Sequence, residues 1–119
     1  MQKILYLGIV LMFASCCANV STIKIDNLEV MTEDLESTYT WDDAMKACAD
    51  LGDGWRLPTK DELNLLYENK EKIGGGANGI YWSSTESDNN RAWRQDFYSG
   101  FQYSSPKASP YYVRAVRAF

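Results

Sequence analysis

Trp55-Arg56-Leu57-Pro58-Thr59-Lys60-Asp61-Glu62-Leu63-Asn64-Leu65-Leu66-Tyr67 gives the firmest local signal in the chain. Thr59 and Glu62 stand at capping-box spacing. The threonine side chain accepts from the third helical amide, and the glutamate reaches back to the Thr59 amide. A helix is therefore expected to open at Thr59. Leu63, Leu66 and Tyr67, widened by Leu65, share one helical face and form its inward stripe. The helix is expected to fray near Lys70 to Lys72, and Gly74-Gly75-Gly76 ends regular structure. Those glycines are not followed by the Lys-Ser/Thr of a phosphate loop.

Upstream, Thr40 is a good N-cap, and Asp43 three residues later suits the helix dipole. Trp41, Ala44, Met45, Cys48 and Leu51 follow helical spacing and predict one buried stripe, which Gly52 and Gly54 terminate. Asn27 to Met31 fits a short strand, and Asn19 to Ile25 is tether or edge strand. Between Asp26 and Asp43 stand seven acids (Asp26, Glu29, Glu33, Asp34, Glu36, Asp42, Asp43) without a Lys or Arg. They lack the Asp-x-Asp-x-Asp-Gly spacing of a calcium loop and read as a solvated acidic face.

Downstream the pattern turns to sheet. Ile80 to Ser84 is a short strand, followed by a polar loop over Thr85 to Asn90. Ala92 to Tyr98 alternates, so that Trp93 and Phe97 are expected toward the core and Arg94, Asp96 and Tyr98 toward solvent. Ser99-Gly100 reads as a tight hairpin turn into Phe101 to Ser105. After Pro106 to Pro110, Tyr111 to Arg117 reads as a last strand. Helices followed by an antiparallel meander predict an α+β fold.

The first 18 residues have a different character. Lys3 is followed by an apolar or small run from Ile4 to Ala14, too short for the roughly 20 residues of a spanning helix. A basic start, a short apolar core and small residues describe a secretory signal. Phe13-Ala14-Ser15-Cys16 resembles a bacterial lipobox, although leucine is usual where Phe13 stands. Lipidation is thus expected at Cys16, with Cys17 as a poorer register and an ordinary cut near Ala18 as the alternative. Residues 1–18 are then signal, 19–26 tether and 27–119 the folded domain. Two or more acyl chains, at about 0.8 kcal/mol per buried methylene, anchor stably. The expected location is across the inner membrane, lipid-anchored in the outer membrane, at the cell surface or on the periplasmic side. With Cys16 lipidated and Cys17 on the tether, Cys48 is alone inside the domain. No disulfide framework follows, though a Cys17–Cys48 bridge stays open.

Composition narrows the function. The chain has 119 residues, no histidine, 12 Lys+Arg and 16 Asp+Glu, for a net charge of −4. One small domain fits that length. Mechanisms that need an imidazole are excluded. An acidic balance argues against nucleic acid as a partner. No acid pair is singled out for glycoside cleavage and no nucleophile is activated, so no enzyme is expected.

Several blocks together resemble a known family: Trp55-Arg56-Leu57-Pro58-Thr59 with Glu62-Leu63, Tyr81-Trp82-Ser83-Ser84-Thr85, Ala92-Trp93, Phe97 with Gly100, and Val113-Arg114-Ala115-Val116-Arg117. Their order and spacing are similar to the domain family named for the C-terminal domain of the legionella collagen-like adhesin, from about Leu28 to Arg117. The resemblance implies a C-type-lectin-like fold, two helices on a twisted antiparallel sheet, in secreted or surface-attached bacterial proteins. The better-understood members bind sulfated glycans and support adhesion. The shared residues read as structural: Trp55 and Leu57 plug the core, and Arg56, Arg114 and Arg117 are internal clamps.

Ten aromatics lie among residues 80–119, more than so small a core can hold, so some are expected at the surface as platforms for sugars or proteins. Arg91, Arg94, Lys107, Arg114 and Arg117 face only Asp96 in residues 91–119, which suggests a basic patch unless some are internal. The candidate ligand residues are Glu86, Asp88, Asn89, Asn90, Arg91, Arg94, Tyr98 and Tyr103, with Tyr103 expected near Tyr98 across the hairpin. Calcium at the Glu86–Asn90 loop is a weaker reading than a solvated loop, because the lectin calcium tripeptides are not matched; no metal and no cofactor are assigned. The expected partner is a glycan or a surface protein. The alternative is a structural or accessory subunit of a cell-surface assembly, with no sugar ligand.

Overall fold

The computed structural model describes residues 20–119. The signal segment, Cys16 and Cys17 lie outside the described residues. Six strands and three helices are present among those described: β1 (Thr22–Ile25), β2 (Leu28–Met31), α1 (Trp41–Asp50), α2 (Lys60–Glu68), α3 (Lys70–Ile73), β3 (Ile80–Asp88), β4 (Arg91–Asp96), β5 (Gln102–Pro106) and β6 (Val116–Ala118). They form two antiparallel three-stranded sheets, ordered β1-β2-β6 and β3-β4-β5. The α+β expectation holds. Thr22 to Ile25, within the stretch read as tether or edge strand, is the edge strand β1.

Both helix starts follow the sequence. Thr40 caps α1 by accepting from the Asp43 amide. At α2 the Thr59 side chain accepts from Glu62 N, and the Glu62 carboxylate accepts from Thr59 N at 2.9 Å. Removing the Thr59 hydroxyl would cost roughly 0.5–2 kcal/mol. In α1, Trp41, Ala44 and Cys48 are buried as expected, but Met45 is exposed. The α1 stripe is narrow, and Met45 sits one helical position beyond it. Where fraying was expected after Lys70, the chain adds the short helix α3, whose Ile73 is fully buried.

The core divides in two, and adjacent strand residues feed opposite halves. Val30, Tyr81, Phe97 and Val116 pack with Leu63, Leu66 and Ile73. Met31, Trp82, Ala92 and Ala115 pack with Trp41, Ala44, Cys48, Trp55 and Leu57. Successive strand side chains point to opposite faces, so Tyr81 and Trp82 serve different clusters across one strand.

The last stretch differs from expectation. Only Val116–Ala118 is a strand paired along its length. Tyr111 exchanges both backbone hydrogen bonds with Tyr39. Tyr112 bonds to Ile80 and Trp82, Val113 accepts from Leu35, Ala115 accepts from Met31, and Val116 exchanges bonds with Arg56. The segment is a stitch that changes neighbour at almost every residue, so it forms no single ladder.

The polar run after Ser84 is a second correction. β3 continues to Asp88, with bulges between Trp82 and Asp88. It is polar because its outer end projects into solvent while its backbone stays paired with β4.

Candidate functional site

Internal ion pairs remove most of the expected basic patch. Arg114 is fully buried: Nε donates to Asp34 at 2.9 Å, and Nη1 donates to the carbonyls of Met31, Ile73 and Gly74. Its Nη2 lies 2.9 Å from Asp34 as an ion pair without hydrogen-bond geometry. Arg117 holds Glu29 at 2.8 Å, and Arg56 grips both oxygens of Glu62. The hydrogen bonds from Arg117 and Arg56 hold the Glu29 and Glu62 carboxyls below the ordinary carboxylate range. The clamp reading of the three arginines holds. Two of the seven acids of the expected solvated face, Glu29 and Asp34, are the partners of clamps.

Lys107 is likewise engaged. It donates to Glu86 and to the Asn89 carbonyl, with its ammonium 4.4 Å from the Trp41 ring centre. Asp88 is turned inward on its own turn, where Oδ1 accepts from Asn90 N at 2.8 Å. Glu86, Asp88, Asn89 and Asn90 therefore close the β3–β4 turn. Calcium requires six to eight oxygens. Among the described residues, no three acid, Cys or His side chains converge on a point.

The candidate ligand residues do not form one site. Arg91, Asp88, Asn89 and Asn90 lie at the β3–β4 turn, whereas Tyr98 lies in the β4–β5 turn at the other end of β4. Residues directly opposed across an antiparallel pair share a face. The register Trp93↔Ser104 and Gln95↔Gln102 defines one face of the hairpin, and Ala92↔Ser105 and Arg94↔Tyr103 define the other. Arg91 belongs with Trp93 on the first face, where it donates to Ser104 Oγ and Ser104 O. Arg94 belongs to the second.

Neither face of β4 is simply core or surface. On the first, Gln95 is fully buried against Asn64, while Trp93 is half-buried beneath the Lys60 ammonium, 3.6 Å from its ring centre. On the second, Ala92 is fully buried, and Arg94 is half-buried. The strand is sandwiched at both ends on opposite sides, which simple alternation does not foresee.

The second face gathers the more suggestive chemistry. The Arg94 guanidinium lies 4.6 Å from the Tyr103 ring centre and 5.5 Å from that of Tyr111. Its Nε donates to Ser105 Oγ at 3.0 Å, and the Tyr111 hydroxyl reaches the same oxygen. Phe101 and Tyr103 stand two residues apart with rings 6.2 Å apart, and are 62% and 47% exposed. Tyr98 is more exposed still, at 77%. Phe101, Ser105 and Tyr111 are absent from the sequence-derived set. Laying Phe101 to Ser105 against β4 in register would have placed Phe101 and Ser105 there. Tyr111 arrives through the stitch, which local pattern does not show.

Residues 14–117 match the family described as the Lcl C-terminal domain. The chain belongs to that family. The solved structure titled "Crystal structure of botrocetin" is similar to this Lcl C-terminal domain at a TM-score of 0.59 and 11% identity, over 82% of this chain and 96% of that one. A second, titled "The von Willebrand Factor mutant (I546V) A1 domain-botrocetin Complex", gives a TM-score of 0.57 and 10% identity, with the same coverages. At such identities these likenesses establish the C-type-lectin-like fold alone. No curated protein matches the chain in sequence. Against that fold, this Lcl C-terminal domain shows an aromatic surface around one arginine. Its one cysteine among the described residues, Cys48, is sealed, and burial pushes the thiol up to about 12.

Proposed function

We propose that this domain is a non-catalytic binding module that recognises a glycan or a partner protein through the Arg94–Tyr103–Phe101 face of the β4–β5 hairpin. The observation that carries the reading is a pair of exposed rings beside an arginine with no acid partner among the described residues. Exposed aromatics and arginine are the side chains on which binding surfaces most often concentrate their energy. Family membership supports an adhesion-type role. A non-catalytic role is supported by Cys48, whose thiol is kept protonated and out of reach of a substrate.

The proposal includes delivery across the inner membrane and a lipid anchor at Cys16, supported by the signal-like first 18 residues. A protein partner is the second reading. It is supported by a neighbour of the same fold whose structure is titled as a complex with a von Willebrand factor A1 domain. The test is a glycan array and a cross-linking capture from intact cells, each run with wild type and a Phe101→Ala/Tyr103→Ala double variant. Binding by wild type that is lost in a normally folded double variant supports the siting. Equal binding by both proteins rejects it.

A further inference from the structure

We infer that the ligand of the Arg94 face is a sugar carrying a single carboxylate, held end-on by the arginine with the sugar ring on Tyr103, and not a polysulfated chain. This rests on the reading of that face as the binding surface.

The first argument is the supply of cations. A polyanion is held by a row of positive charges whose contributions add. Of the five cations that suggest such a row, Arg114 is sealed against Asp34, Arg117 holds Glu29 and Lys107 holds Glu86. Arg91 stands on the opposite face of the hairpin, bonded to Ser104. Arg94 alone of the five faces the exposed rings without an acid partner among the described residues. One cation makes one ion pair.

The second argument is the shape of the free edge. Tyr103 and Tyr111 lie against the guanidinium, and Ser105 engages Nε. The two Nη groups make no hydrogen bond among the described residues, yet neither is sealed from solvent. What remains is the four N–H donors of the two Nη groups, two of which form an end-on fork that matches the two oxygens of a planar carboxylate. A sulfate ester can also offer two oxygens to such a fork, but it is held off the sugar ring by an ester oxygen, whereas a ring carboxylate is bonded directly through its carbon.

The third argument is the platform. Tyr103 and Phe101 expose flat apolar surface beside the fork. A pyranose presents a C–H face to such rings while its hydroxyls stay in water. A carboxylate attached directly to the sugar ring, as in a hexuronic or sialic acid, joins the two contacts within one residue.

The test uses the full chain and matched probes: sialyl-lactose against lactose, glucuronic-acid-terminated oligosaccharides against the same compounds reduced at the carboxyl to the alcohol, dextran sulfate, and a short glutamate-containing peptide. The carboxylated sugars should bind, and reduction of the carboxyl should weaken binding on the order of tenfold or more. Arg94→Gln should lose as much, Arg94→Lys should recover little, and Arg91→Gln should bind as wild type. Affinity should fall only a few-fold between about 50 and about 200 mM salt, because a single ion pair is formed. Preference for dextran sulfate, with a steep salt dependence, overturns the inference. So does equal binding of the peptide, or binding that survives carboxyl reduction but is lost in Tyr103→Ala; that last result leaves the binding face intact. Silence toward every probe overturns the glycan reading of the face together with this inference.

Discussion

Arg114 and Asp34 stand 80 residues apart in sequence and 2.9 Å apart in the folded chain. The arginine is fully buried and also satisfies carbonyls from β2 and from the end of α3. Removing one partner of a buried ion pair costs about 3–5 kcal/mol, a large share of the stability of a small domain. Arg114→Met is expected to lower the unfolding free energy by that amount, read as a fall in the urea midpoint, or to abolish cooperative unfolding. Arg114→Lys should recover only part, because an ammonium cannot reproduce the planar fork. A lysine variant within about 0.5 kcal/mol of wild type would show that charge alone suffices.

Gly75 and Gly76 separate contact from backbone strain. Both have positive φ, +70° and +62°. A Cβ at Gly76 meets nothing within 4 Å, whereas one at Gly75 would overlap the Thr32 carbonyl oxygen and come within 2.8 Å of Arg114 Nη2. Gly76→Ala should cost about 1–2 kcal/mol from the left-handed conformation alone. Gly75→Ala should add about 1–3 kcal/mol of steric cost and disturb the arginine. Equal losses in a denaturation series would remove the steric half of this account.

The Arg56–Glu62 and Arg117–Glu29 pairs set an acid limit. Both carboxyls are held below their ordinary 4.5, foremost by hydrogen bonds from the arginines. The unfolded chain therefore binds these protons more readily than the folded chain, and stability rises with pH across this range. Their contribution is present above 4.5 and lost as pH falls through the lower folded-state values. Glu62→Gln keeps a capping-box acceptor but removes the ionisation. Its urea midpoint should decline less steeply than that of wild type below about pH 5. Parallel declines would mean that other groups govern acid unfolding.

Cys48 should be silent in the folded protein. Its side chain is fully buried and its thiol is pushed up to about 12. Alkylation at mildly alkaline pH, read on the peptide containing residue 48, should proceed only at the rate at which the protein opens, and should accelerate with urea. Rapid labelling of native protein would refute the sealed environment.

Local chemistry made much of this fold legible. Thr59 and Glu62 announce α2 because both halves of a capping box lie within four residues, and Trp41, Ala44 and Cys48 reveal α1 by their spacing. The blocks around Trp55 and Trp82 carry the family. What stayed hidden depends on distant partners. Nothing near Glu29 or Asp34 says that arginines from the far end of the chain will neutralise them. Thr85 to Asp88 reads as loop because its polarity reports exposure and not backbone pairing. The aromatic surplus was visible as a count. Its arrangement around Arg94 required the register of β4 on β5.

The stitch from Tyr111 to Val116 ties Tyr39, Ile80, Trp82, Leu35, Met31 and Arg56 together, and Arg114 sits in its middle. Each of those bonds closes a long loop of chain, because every partner lies far upstream in sequence. Without this segment the two sheets lose the bonds it makes between them, and Asp34 loses its counter-ion. The domain is therefore built to melt as one cooperative unit rather than sheet by sheet, and a single break in this short run is felt in both halves of the core at once.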